Sequence, residues 1–274
     1  MSDISIVTFF FDTGRGDWTP EKGFPSYLHR TNSTYLERFS YLAKLKNQMI
    51  IFTSPDMVDK IAYYRKESPA DTIIIPFNYK ESFNEERARI HEIQKNPEFQ
   101  NKIAPHQRIN PEYWNPDYVL LMALKSWFVK TAIEGGIVKN DLVAYIDFGY
   151  CRSADKVPKS EKWEYNFDPN KIHLFGYKNY PEGRPIEEVI YTNDVYILGA
   201  KAITSQRLWP YLFNLVTNSL EELFSKELVD DDQTLWLMSH LKDPELFEIH
   251  KIPDHQYGHD SFVLFNNYND TVKQ

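Results

Sequence analysis

A chain of 274 residues that is 42% hydrophobic can bury a sizeable core, and it fits one large domain or one domain with appendages. Its net charge of −8 and its lack of any basic run exclude nucleic-acid binding as the main business, because phosphate backbones are held by clustered Lys and Arg. The single cysteine, Cys151, rules out an internal disulfide and a cysteine-type zinc site and fits a reducing compartment. The opening MSDISIVTFFFD lacks the charged and apolar regions of a signal peptide, and no apolar run approaches the roughly 20 residues that span a bilayer. A soluble, cytoplasmic protein is expected. Its Tyr, Phe and Trp exceed what the core requires, so some of them could line a groove for a flat or sugar-like ligand.

Residues 4–11 form a first strand rich in Ile, Val, Thr and Phe. It runs into Asp12-Thr13-Gly14-Arg15-Gly16, where two glycines let backbone approach a ligand and Arg15 offers a fork for phosphate. An ordinary surface loop reads equally well there. A helix over residues 33–46 puts Tyr35, Leu36, Phe39 and Leu42 on one face, and residues 48–52 are a second strand. Ser54-Pro55-Asp56 starts a helix through Lys66; Thr72–Pro76 is a third strand; Ser82 with Glu85 makes a capping box ahead of a helix ending near Lys95. Alternating strands and helices are the signature of a parallel α/β sheet.

Residues 96–115 read as irregular, and residues 116–134 as one long helix, apolar nearly all round and closed by Gly135-Gly136. Lys125 sits inside its apolar stripe: it is paired with a sheet carboxylate, aimed at an anionic ligand, or snorkelling. Leu142–Ile146 is a buried central strand that ends on Asp147, followed by Phe148-Gly149-Tyr150. Ligands of open α/β sheets gather at such strand ends, so Asp147 either holds a metal or ribose hydroxyl or forms a turn. Residues 188–192 and 195–198 read as a pair of strands leading to Gly199, where backbone can pass close to a ligand. A helix over about residues 205–227 follows. Asp230-Asp231-Asp232-Gln233 opens another helix; capping needs only one of these acids and leaves a role open for another. In the tail, residues 254–260 collect two histidines and two acids, a metal-ligand cluster about as readily as a solvated loop.

Five stretches together resemble the HtrL/YibB family, bacterial proteins often encoded with lipopolysaccharide core genes. They are VTFFFDTGRGDW (residues 7–18), RTNSTYLERF (30–39), YVLLMALKSWF (118–128), LVAYIDFGY (142–150) and DDQTLW (231–236). The resemblance implies a glycosyltransferase-like α/β fold of the GT-A type, a mostly parallel central sheet flanked by helices. One domain would span the chain, with residues 1–150 as the nucleotide-binding half and 151–274 as the acceptor-side half. Wider similarity to glycogenin-like sugar transferases matches Asp147 to the first acid of an Asp-x-Asp motif, Asp232-Gln233 to a later pair, and His255 with Gly258 to a C-terminal His-x-x-Gly. Gly149 stands where the second acid is usual, so either another group replaces that ligand or the protein works without metal.

The implied activity is a nucleotide-sugar-dependent glycosyltransferase of bacterial cell-surface glycan (lipopolysaccharide or lipooligosaccharide) synthesis. It would act in the cytoplasm or at the inner face of the membrane, on a nucleotide-sugar donor and a glycan or glycolipid acceptor. Asp147 and His255 would hold Mn²⁺ or Mg²⁺, and Asp232 would act as base or contact the acceptor. Thr8, Asp12, Arg15, Lys125, Gly149, Gly199 and Gln233 would surround the nucleotide sugar. The alternative is a non-catalytic nucleotide- or carbohydrate-binding protein that keeps the fold, since fold does not establish function.

Overall fold

The computed structural model describes residues 3–68, 71–252 and 261–266. Among them, seven strands form one sheet: β1 (Ile4–Phe10), β2 (Met49–Thr53), β3 (Thr72–Pro76), β4 (Leu142–Ile146), β5 (Ile172–Gly176), β6 (Lys201–Ser205) and β7 (Phe247–Lys251). Their order is β3-β2-β1-β4-β6-β5-β7. The first four in that order run parallel, β6 lies antiparallel to β4 and β5, and β7 is parallel to β5. This is the mostly parallel, helix-flanked sheet that was expected.

The helices are α1 (Asn32–Leu42), α2 (Val58–Tyr64), α3 (Tyr79–Ser82), α4 (Asn84–Lys95), α5 (Pro97–Lys102) and α6 (Pro116–Ala123), followed by α7 (Lys125–Glu134), α8 (Ile186–Thr192), α9 (Trp209–Ser225), α10 (Asp232–Lys242) and α11 (Ser261–Leu264). Strands β1, β2, β4, β5 and β6 are buried at every position, because helices cover both faces and near-continuous apolar strands suit such a place. On one face, Phe39 and Leu42 of α1 and Ile61 of α2 pack with Ile4, Ile6, Ile51 and Ile146. On the other, α4, α6, α7, α9 and α10 bury Val7, Phe9, Ile50, Val143 and Tyr145. No helix of the described residues is long and apolar enough to cross a membrane.

Four local expectations are corrected. The helix over residues 116–134 breaks at Leu124, which leaves Lys125 as the first residue of α7. Residues 188–192 lie in a helix rather than a strand: Glu187 and Glu188 favour its positive N-terminal end, Val189 and Ile190 are buried, and left-handed Asn193 (φ 53°) closes it. Nearby, the strand is 201–205, and residues 195–198 contribute one isolated bridge, Ile197 to Gly176. Ser82 ends α3, its hydroxyl donating to the Asn78 carbonyl, so it does not cap α4. The stretch taken as irregular contains α5, whose N-terminus is capped by Asn96 accepting from the Glu98 amide.

Candidate functional site

The sheet order itself locates the site. From β1 the chain moves to β2 and β3 on one side, then returns to place β4 on the other. The carboxyl ends of β1 and β4 therefore border the crevice where ligands of open α/β sheets bind. A cleft of about 870 Å³ opens there, lined by Phe9–Thr13 and Arg15 beyond β1 and by Asp147–Tyr150 beyond β4. A second lobe continues past Asp147 to Lys125, Gly199, Asp232 and Gln233.

Asp147 follows the last residue of β4, and its amide donates to the Ala200 carbonyl at 2.9 Å. Its Oδ1 accepts from the Tyr145 hydroxyl at 2.9 Å and from the Lys125 ammonium at 2.8 Å. Its Oδ2 has no partner among the described residues, and the side chain is 38% exposed. One carboxylate oxygen is thus held while the other is left for a ligand.

Lys125 spends all three of its hydrogens. They go to Asp147, to Asp232 Oδ2 at 2.9 Å and to the Gly199 carbonyl at 2.8 Å. The Tyr145 and Trp236 rings lie 5.1 and 5.8 Å from Nζ. Burial by itself would lower this ammonium's pKa, but the two facing carboxylates outweigh it and hold the group charged. Asp232 is raised above the usual carboxylate range by its own burial; Lys125 pulls it down and Asp147 pushes it up. Gly199 is required here for close approach, since a Cβ would stand 1.8 Å from Asp232 Oδ2.

Behind this pair lies a buried acidic layer. Burial, with neighbouring Asp230, pushes Glu112 up to about 7, and burial pushes Asp230 up to about 7. Asp231 is raised well above its ordinary value by burial, then by Asp232 and Asp230. Each still has a hydrogen-bonding task. Asp231 caps α10 through the Gln233 amide, Asp230 accepts from the Thr234 hydroxyl at 2.6 Å, and Glu112 accepts from Asn193 at 2.6 Å.

The other wall of the cleft is basic. Arg15 is buried, donating from Nε to the Leu28 carbonyl and from Nη1 to the Tyr35 hydroxyl at 3.1 Å. Arg30 and Arg152 line the same space. Arg38 lies just beneath, its Cδ 3.6 Å from where a Cβ on Gly149 would be. None of these four guanidinium groups forms an ion pair with an acid among the described residues. Arg38 is held below its ordinary value by burial and then by Arg30 and Arg152; Arg152 is lowered by burial and then by Arg30. Four neighbouring guanidinium groups give this part of the cleft a field that favours an anion.

Several predicted residues do come together. Asp12, Arg15, Asp147 and Gly149 line the main cleft, and Lys125, Gly199, Asp232 and Gln233 line its second lobe. Thr8 is a correction: it is fully buried inside β1, short of the strand's carboxyl end, and does not line the cleft. Asp12 faces the cleft with both oxygens engaged, by the Gly14 amide and by Asn32. Asp232, expected as a base or an acceptor contact, is buried and holds the Lys125 ammonium. His255 lies outside the described residues. Sequence reasoning missed Arg30, Arg38 and Arg152; these lie in or beside the RTNSTYLERF and LVAYIDFGY stretches, but only the fold makes them neighbours.

A divalent ion at Asp147 is not favoured by the donors present. Gly149 offers no side chain, Asp147 Oδ1 and Asp232 Oδ2 are taken by an ammonium, and no third His, Cys, Asp or Glu among the described residues gathers with them.

The fold and site define an α/β protein with an arginine-walled cleft at the carboxyl edge of a mostly parallel sheet. The chain belongs to the HtrL_YibB family, described as a bacterial protein of unknown function, whose model matches residues 2–267. It is 41% identical over 251 residues to Protein HtrL of Escherichia coli (strain K12), covering 90% of this chain and 87% of that one. Among solved structures, it is similar to the apo form of mouse xyloside xylosyltransferase 1, at 12% identity and TM-score 0.44 over 96% of this chain and 93% of that one. It is also similar to a 4-diphosphocytidyl-2C-methyl-D-erythritol synthase from Anaerococcus prevotii, at 11% identity and TM-score 0.40 over 96% of both chains. Likenesses this coarse pair no individual residues, and no role is taken from either protein.

Proposed function

We propose that the protein is a nucleotide-sugar-dependent glycosyltransferase that binds the donor diphosphate with arginines. The observation that carries this reading is the cluster of Arg15, Arg30, Arg38 and Arg152 at the cleft, none of them ion-paired with an acid among the described residues. Guanidinium forks match phosphate oxygens in pairs and stay charged. Fixed cations aimed at a departing diphosphate stabilise the charge that develops as the glycosidic bond breaks, with no reorganisation needed at that moment. Asp147 Oδ2 would accept from a ribose or sugar hydroxyl, with Lys125 and Tyr145 fixing the carboxylate from behind. Asp232 would act indirectly, by holding Lys125. The acceptor class, a glycan or glycolipid of the bacterial surface met on the cytoplasmic side, follows from the family resemblance and not from a contact in the cleft.

A second reading, a non-catalytic nucleotide or carbohydrate binder, draws on one specific observation. Asp12 has both oxygens engaged and Asp232 is buried against Lys125, which leaves Asp147 Oδ2 as the exposed oxygen of these cleft acids without a partner among the described residues. One experiment covers both readings. The protein is incubated with UDP-, GDP-, CMP- and dTDP-sugars, with EDTA or with Mn²⁺, and released nucleotide is followed by mass spectrometry. Calorimetry with the free nucleotides runs alongside. Release in EDTA is expected, and Arg30→Ala or Arg152→Ala should weaken nucleotide binding about tenfold each, the worth of a charged hydrogen bond. Binding without release supports the second reading. No binding of any nucleotide, or full affinity in both variants, rejects the diphosphate site.

A further inference from the structure

Away from the cleft, strands β5 and β7 bring three metal-ligating side chains together. Their parallel register sets His173 beside Glu248, and His250 lies two residues further along β7, on the same face. His173 Nδ1 is 2.9 Å from His250 Nε2 and 3.4 Å from Glu248 Oε2. One ligand atom from each residue lies within 4.8 Å of the others. We propose that His173, Glu248 and His250 bind a divalent transition-metal ion, zinc best fitting two imidazoles and one carboxylate, and thereby fasten edge strand β7 to the sheet.

The geometry around the trio supports a ligand role. The second ring nitrogen of His173, Nε2, lies 2.9 Å from the Asp168 carbonyl. A carbonyl only accepts, so Nε2 carries the hydrogen and Nδ1 presents its lone pair to the other two residues. Metal-binding histidines are oriented by this kind of outer hydrogen bond. The rings sit among Phe167, Phe175 and Phe265, with Phe265 4.8 Å from His250 and Phe167 4.8 Å from His173. Glu248, half exposed, supplies a negative charge beside the two imidazoles and leaves a route to solvent. Without metal, His250 Nε2–H would simply donate to His173 Nδ1, and the experiment separates the two states.

The full-length protein, stripped with chelator, is titrated with Zn²⁺ against a chromophoric competitor, and thermal stability is followed in parallel. About one ion per chain and a raised melting temperature are expected. His250→Gln and Glu248→Gln should each weaken Zn²⁺ binding about tenfold or more. Co²⁺ in place of Zn²⁺ should give a visible ligand-field spectrum that both variants lose. No binding by the wild type, or equal Zn²⁺ affinity in His250→Gln and Glu248→Gln, overturns the proposal. Neither result touches the nucleotide reading, whose assays use other residues and another ligand.

Discussion

Replacing Lys125 with Met tests the centre of the cleft. Methionine nearly matches the length of the lysine stem and adapts to irregular space, so packing changes little. The change removes three hydrogen bonds and the countercharge of two carboxylates. Asp147 is 38% exposed and regains water, whereas Asp232 is 3% exposed and does not. Breaking a buried pair by deleting one partner costs about 3–5 kcal/mol. Asp232 can escape part of that cost by taking a proton. Its folded-state pKa then stands above its unfolded value, so the folded variant keeps a proton that the unfolded chain releases near pH 4. Stability is therefore drained as pH rises, at about 1.4 kcal/mol per unit until Asp232 ionises in the folded state. Urea unfolding of wild type and variant at pH 5 and pH 8 measures this directly. The loss should be about 1–2 kcal/mol at pH 5 and about 3–5 kcal/mol at pH 8, with Lys125→Met/Asp232→Asn recovering most of the difference. A loss that is the same at both pH values, or one below about 1 kcal/mol, refutes the buried-pair argument.

Three further outcomes follow from neighbouring residues. Gly199→Ala would put a Cβ 1.8 Å from Asp232 Oδ2, so a melting experiment should show a loss of about 1–3 kcal/mol, and nucleotide titration a weakened affinity. Gly149→Ala, whose Cβ would meet the Tyr35 ring at 3.1 Å, should be milder. Asp230 is raised to about 7 by burial, so wild-type stability falls between the ordinary carboxylate range and that value as pH climbs. Asp230→Asn still accepts from Thr234 and should gain about 1–2 kcal/mol over wild type at pH 8 but little at pH 5, by urea midpoints.

The sheet was legible because five of its strands are buried on both faces and read as apolar runs, β4 among them, while half-buried β3 still shows as three consecutive Ile. Residues 186–192 misled because Val189 and Ile190 are β-branched; what decides for a helix is their burial on one side, with acids in the first turn. Asp147 could be singled out as a carboxylate leaving a central strand, and Lys125 as a cation in an apolar stripe. That the two meet, across 22 residues of chain, is a tertiary fact. The arginine wall had still less local signal. The four arginines never form a basic run; Arg15 was singled out only by its two flanking glycines, and Arg30, Arg38 and Arg152 each alone look like solvated side chains.

That scatter also explains why net charge misdirects at this site. A total of −8 describes the whole surface and argues soundly against a long polyanion, which needs a broad basic face. A small anion responds to the field inside one crevice, where low-dielectric walls focus nearby charges and distant ones are screened. Three acids, Asp12, Asp147 and Asp232, line the cleft with Lys125, and four guanidinium groups stand near them without an ion pair to an acid among the described residues. Locally the balance is positive, and it comes from side chains held by the fold. A cation bound from solution would have to displace the Lys125 ammonium from two carboxylates and a carbonyl to do the same work. An anionic ligand needs no such exchange, and its charge would relieve the mutual repulsion of Arg30, Arg38 and Arg152. The physical case for a phosphate-bearing ligand therefore rests on the arrangement of charges within this acidic protein.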